Sequence, residues 1–320
     1  MASRFALLTL VLALSASAEP LLGPGVGNAD TFVSEGTKLF NRKAYPKAAE
    51  HFLKATRANP ATLASYVQLA RALMLAKQIP KACYAYRVYL KAAPDSPDRK
   101  KAAAESDQCE RQAKPSKEQA DLLQSYVDVR AAFFSALDRN ELLGATGANA
   151  SLESLVKDGF LGPELGDMGQ KLASAATAEG DAIHKRALAG EPLTPEQLRQ
   201  ARPLYQMAQD VGSSSADAKG RMAFLDGLAE LSEKNFRKAE GHFLEATRSD
   251  PSNKEYVFYR GLALYQGGEH AAALKVLEAD LKDDPRTAML RAALAVSHSP
   301  ELGAAEVEKL LFSTRYPPEK

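Results

Sequence analysis

The chain has 320 residues, with 41 Lys and Arg balanced by 40 Asp and Glu for a net charge of +1. That balance leaves no basic stripe for a phosphate backbone and no polybasic segment for an anionic membrane surface, so neither nucleic acid nor membrane-surface binding is expected. Its two cysteines, Cys83 and Cys109, show neither CxxC nor zinc-ligand spacing, which argues against thioredoxin-like and zinc chemistry.

In chain order, the first element is a targeting segment. Arg4 precedes an apolar run from Phe5 to Leu14, and Ser15-Ala16-Ser17-Ala18 puts small residues before Glu19. This is the layout of a secretory signal peptide (1–18) cleaved after Ala18. The run is shorter than the roughly 20 apolar residues a membrane span needs, so no transmembrane anchor is expected in the mature chain. No Cys follows the cleavage point, which argues against a lipoprotein anchor. The expected location is therefore exported: periplasmic, with secretion as the alternative. Residues 19–28, containing GPGVGN, read as a flexible start.

Residues 29–95 and 219–285 then say nearly the same thing twice. HFLKATRANP begins at His51 and HFLEATRSDP at His242, 191 positions later, and seven of the ten letters agree. Prolines at 60 and 94, and again at 251 and 285, are 34 residues apart. A fixed period of this size is the mark of a stacked repeat. Phe32, Gly36 and Leu39 share one helical face, as do Ala48, Phe52 and Ala55. Asn41 to Ala44 forms a turn, and Pro60 ends the second helix. Each unit is thus a helical hairpin that buries its apolar face only by stacking on a neighbour.

The pattern resembles the tetratricopeptide repeat. The first copy carries it as Phe32, Gly36, Leu39, Ala48, Phe52 and Pro60. The second reads Tyr66, Leu69, Ala70, Leu73, Ala82, Tyr86 and Pro94. The third reads Gly227, Ala239, Phe243 and Pro251, with Ala223 and Glu230 departing from the usual large residues. The fourth reads Val257, Gly261, Leu264, Ala273, Leu277 and Pro285. His51 and His242 sit beside the core positions Phe52 and Phe243 and point away from the core, as surface residues rather than ligands.

Between the copies the frame is lost but helical spacing continues. The polar segment 97–113 suits a cap on the first pair. Leu122, Leu123, Tyr126, Val127, Phe133, Phe134 and Leu137 mark a long helix. Gly144 and Gly147 break the pattern, a short helix follows over 151–156, and another runs over about 163–188. Thr194-Pro195-Glu196-Gln197 reads as a capped helix start, Pro203 as a kink, and GSSSADAKG (212–220) as a linker. Residues 286–313 suit a cap on the second pair. The turn at 93–97 lies midway between Cys83 and Cys109. Antiparallel helices around it would bring the thiols level, so export makes them a disulfide candidate.

The fold expected is therefore all-α: a helical-hairpin solenoid in two repeat pairs (29–95 and 219–285) joined by a helical middle segment (96–218), with C-terminal capping helices over 286–320. No nucleophile, phosphate-loop or metal motif is present, so neither catalysis nor a cofactor is expected. The resemblance implies protein binding along the first helix of each hairpin; with the export layout of residues 1–18, the expectation is a scaffold or assembly factor with envelope-associated protein partners.

In the second pair, Phe224, Leu228 and Leu231, followed by Phe258, Leu262 and Tyr265, form an apolar stripe beside the core stripe. A partner segment or a helix of this chain must cover it. The equivalent positions of the first pair are Val33, Thr37 and Phe40, then Val67, Arg71 and Met74. Family members that clamp chaperone carboxylates use Lys and Asn at these places. Val33, Thr37 and Gln68 occupy three of them here, a departure that argues against that partner. Two other readings differ in class. One is a small-ligand or enzymatic pocket in the middle segment (116–211); the other is a structural subunit of a larger envelope assembly.

Overall fold

The computed structural model describes residues 20–113, 117–212 and 217–289. The segment read as a signal peptide (1–18) and most of that read as a C-terminal cap (286–320) lie outside the described residues. Among the described residues every regular element is helical: fourteen α-helices, one 3-10 turn at Gly23–Val26, and a helical start at 285–289.

The first pair consists of α1 (Ala29–Asn41), α2 (Tyr45–Ala58), α3 (Leu63–Leu75) and α4 (Ile79–Ala92). The second consists of α11 (Ala218–Ser232), α12 (Phe236–Ser249), α13 (Lys254–Gln266) and α14 (His270–Asp280). In three hairpins a glycine on the first helix lies against a large side chain of the second. A Cβ on Gly36 would lie 2.7 Å from the Phe52 ring, on Gly227 2.6 Å from the Phe243 ring, and on Gly261 2.5 Å from Leu277. Each hairpin turn also places one residue in the left-handed region at the same repeat position: Lys43, Lys77, Lys234 and Gly268. The backbone hydrogen bonds around it close the preceding helix, as in Lys77 N–H to Met74 and Gln78 N–H to Leu73.

Helix α5 (Arg99–Gln112) follows the first pair and continues its frame. Glu105 stands one 34-residue period after Arg71 and accepts a 2.8 Å hydrogen bond from its Nε. Cys83 of α4 and Cys109 of α5, both wholly buried, form a disulfide with Cα atoms 5.5 Å apart. A charged helix of low hydrophobicity thus covers the end of the first pair.

The middle continues with α6 (Lys117–Asp138), α7 (Ala148–Lys157), α8 (Glu164–Leu188), α9 (Pro195–Arg199) and α10 (Ala201–Asp210). Thr194 caps α9 with the reciprocal bonds to Gln197 that its sequence foretells. The chain breaks at Gln200 because Pro203 has no N–H to offer the Arg199 carbonyl. Although the 34-residue frame is gone, α8 and α10 pair by the same device as the repeats. A Cβ on Gly180 would lie 2.8 Å from the Tyr205 ring.

Two expectations are corrected here. Residues 20–28 are not a free start. Leu21 N–H donates to the Asp210 carbonyl at 2.8 Å, and Leu22 is 1% exposed, packed beside Gly169. Residues 218–220, read as the end of a linker, form the first turn of α11, with Ala218 and Gly220 buried.

The apolar interior is shared unevenly. Helices α11 and α12 and one face of α13 form one continuous core with α6–α10, the first pair and α5 have their own, and Val257, Leu277 and Leu281 make a small third cluster against α14. Polar contacts tie the two cores together. Arg57 donates to the Val156 carbonyl at 2.8 Å, and the Tyr84 hydroxyl bridges the N–H and carbonyl of Leu161.

Candidate protein-docking faces

The first helix of each hairpin presents the residues expected to meet a partner, and the structure divides them sharply. Phe224 is a correction: it is fully buried. Its ring lies 5.6 Å from that of His184 on α8 and 4.8 Å from that of Tyr256, so the middle segment covers α11. Leu228 and Leu231 are half-buried at the margin of that core. Phe258 is half-buried beneath the Arg286 guanidinium, 4.2 Å from the ring centroid. Glu255 holds Arg286 through two 2.8 Å hydrogen bonds, and Asp284 accepts two more, at 3.0 and 2.9 Å. The hydrogen bonds from Arg286 keep the Asp284 carboxyl below its usual range. Leu262 and Tyr265 stay half-exposed, the Tyr265 ring lying against His270 at 5.1 Å.

In the first pair Val67 is likewise a correction, since it is 3% exposed and belongs to the core. Its neighbours differ: Val33, Phe40 and Met74 are half-exposed. Arg71 is engaged by Glu105, whose same oxygen also accepts from the Tyr86 hydroxyl at 3.2 Å. Burial and this carboxylate push the Tyr86 phenol upward. Arg71 Nη2 and Gln68 Oε1, one turn apart on α3, are buried and have no partner among the described residues.

Sequence reasoning missed a polar cluster between the middle segment and the second pair. The Tyr205 hydroxyl donates to Asp181 at 2.7 Å, Arg221 donates to the same oxygen, and the Tyr256 hydroxyl shares a 3.1 Å hydrogen bond with His184 Nε2. Burial, then the nearby Arg221 charge, pushes the His184 imidazole down to about 4 despite Asp181. The cluster joins α8, α10, α11 and α13, and no repeat spacing announces it. Glu105, by contrast, was detectable from its 34-residue offset from Arg71.

A cavity of about 530 Å³ lies between the first pair and the middle segment, lined by Leu53, Leu69, Tyr84, Leu122 and Tyr126 among others. Among the described residues no three His, Cys, Asp or Glu side chains are grouped to hold a metal ion. No described helix is long and apolar enough to cross a membrane.

These hairpins define a class: an all-helical repeat protein whose two hairpin pairs are packed against non-repeat helices. Both pairs match the tetratricopeptide repeat family, over residues 35–97 and 224–286. No curated protein matches the chain. Among solved structures, the chain is similar to one described as "TPR2AB-domain:pHSP90-complex of yeast Sti1". That match has 15% identity and a TM-score of 0.25, covering 89% of this chain and 97% of the other. A likeness this slight bears on neither arrangement nor partner.

Proposed function

We propose that this protein is an exported, non-enzymatic scaffold that binds other proteins of the cell envelope. Its principal docking face would be the exposed edge of α13. The observation that carries this reading is the contrast between two equivalent stripes. The middle helices bury Phe224 on α11 completely, whereas its equivalent Phe258 on α13, and Leu262 and Tyr265 beyond it, are only partly buried. Leu228 and Leu231 extend that apolar surface, and an amphipathic helix or extended segment could cover it. The first pair offers a second face at Val33, Phe40 and Met74. There, the unpaired Arg71 donor and Gln68 acceptor are the two groups that a peptide amide would satisfy.

The signal-peptide layout of residues 1–18 and the buried Cys83–Cys109 disulfide support export. N-terminal sequencing of protein recovered from an envelope fraction is expected to begin at Glu19, and an intact Met1 terminus would refute export. For docking, the test is capture from envelope extract with the mature chain and its Leu262→Glu, Tyr265→Glu variant as baits. Loss of a specific protein from a folded variant supports the α13 face, and identical captures refute it. The cavity beside α6 favours a second reading, a site for a small apolar ligand. Displacement of a bound apolar fluorophore on Leu122→Trp substitution would support that reading, whereas no fluorophore binding by the native chain would reject it.

A further inference from the structure

The cavity between the first pair and the middle segment has walls of a definite chemistry. Leu53 of α2 with Leu69 and Leu73 of α3 form one side, and Leu122 and Leu123 of α6 the other. Leu122 is 39% exposed, one of the few large apolar side chains left so among the described residues. The volume of about 530 Å³ falls within the range of sites that enclose a small organic molecule, roughly 300–1,000 Å³. The Tyr84 and Tyr126 hydroxyls, which also border it, are already engaged. Tyr84 bonds both backbone groups of Leu161, and Tyr126 donates to the Asp158 carbonyl, so neither has a donor free.

Five charged side chains line the cavity, and burial separates them. Glu50, Lys81, Lys157 and Asp158 are exposed, where water screens them, and Lys157 pairs with Glu153 at 3.3 Å. Arg57 alone is half-buried. It donates to the Val156 carbonyl at 2.8 Å, and no carboxylate meets it among the described residues. Burial pushes its guanidinium below the ordinary value, with no nearby acid to offset the effect. Arg57 stands in the last turn of α2 and reaches the last turn of α7, so it meets the partial negative charge of two helix ends. It has no full counter-charge. A charge held away from water without a partner is costly, and an anion entering beside it removes that cost.

We infer that this cavity is a binding site for a small amphipathic carboxylate, its apolar tail between α3 and α6 and its head on Arg57. The guanidinium has N–H groups beyond the one that reaches Val156, and its planar fork matches a carboxylate. A neutral apolar molecule would fill the same walls and leave Arg57 unpaired. The inference rests on the small-ligand reading of this cavity and adds the chemistry of the head group. It is independent of which protein docks on α13.

Nile red, a neutral fluorophore, reports occupancy, and decanoate and decanol compete with it at neutral pH. The competitors share a tail and differ in the head, decanol being the more apolar. The inference predicts that decanoate displaces Nile red from the native chain at concentrations at least about tenfold lower than decanol, the strength of a hydrogen bond to a charged group. Arg57→Gln, which keeps an N–H for the Val156 carbonyl, should abolish that preference while Nile red still binds. Equal displacement by the two on the native chain would overturn the inference and leave the small-ligand reading standing, whether or not Arg57→Gln folds. A decanoate preference that survives in Arg57→Gln with a native circular dichroism spectrum would also overturn it, assigning the head group to Lys81 or Lys157. Failure of Nile red to bind the native chain, or binding that Leu122→Trp leaves unchanged, would remove the small-ligand reading and the inference with it.

Discussion

At the scale of single residues, the close glycines carry the sharpest consequences. Ala is a better helix former than Gly by about 1 kcal/mol, so Gly→Ala in a helix ordinarily stabilises. Gly241 of α12 has no neighbour within 4 Å of a built Cβ, and Gly241→Ala should raise stability by up to about 1 kcal/mol. Gly227→Ala should do the reverse, losing about 1–3 kcal/mol because the Phe243 ring must move. Denaturant midpoints of the two variants decide the matter, and equal shifts of either sign would contradict the packing.

His184 makes a prediction in pH. Its folded pKa, about 4, lies below the ordinary value of 6.5, so between these the unfolded chain binds a proton that the native chain does not. Stability therefore falls as pH drops from about 6.5 toward about 4, by on the order of 2 kcal/mol, and this contribution is constant below. The difference in unfolding free energy between native protein and His184→Phe, measured at pH 7 and pH 4.5, should narrow or reverse toward acid. A pH-independent difference would show that the imidazole is not held neutral.

At the scale of elements, α5 depends on its attachments more than on its own sequence. Its mean composition is strongly polar, and it buries only Ala102, Ser106 and Cys109. Replacing both cysteines by Ala frees a loop of 26 residues and should cost about 3 kcal/mol. Hydrogen exchange should accelerate first in 99–112, and unchanged protection there would contradict the view that the disulfide holds this cap. The hairpins were legible because Gly36, Phe52, Ala48 and Pro60 act locally and recur at 34 residues. The middle was not, because the Gly180–Tyr205 contact joins α8 to α10 across 25 residues and leaves no repeated interval. The same physics was present in both, but only one of them was periodic.

At the scale of the whole molecule, the two pairs look alike in sequence and differ in what covers them. Phe224 and Phe258 occupy equivalent places, and nothing in their own repeats says that α8 buries one while Arg286 shields only part of the other. That distinction arises from long-range packing, which is why a stripe of six apolar residues read as one surface. It also bears on the proposed function, since a docking face must be open in the folded protein.

The most direct measurement is the thermal stability of two single variants side by side, Phe224→Glu and Leu262→Glu. The account predicts that Phe224→Glu, which places a carboxylate among buried rings, destabilises by more than about 4 kcal/mol and prevents cooperative folding. It predicts that Leu262→Glu retains a native spectrum and a melting temperature within a few degrees of the native chain. If Leu262→Glu unfolds the protein as Phe224→Glu does, the α13 edge is internal core and the proposed docking face does not exist.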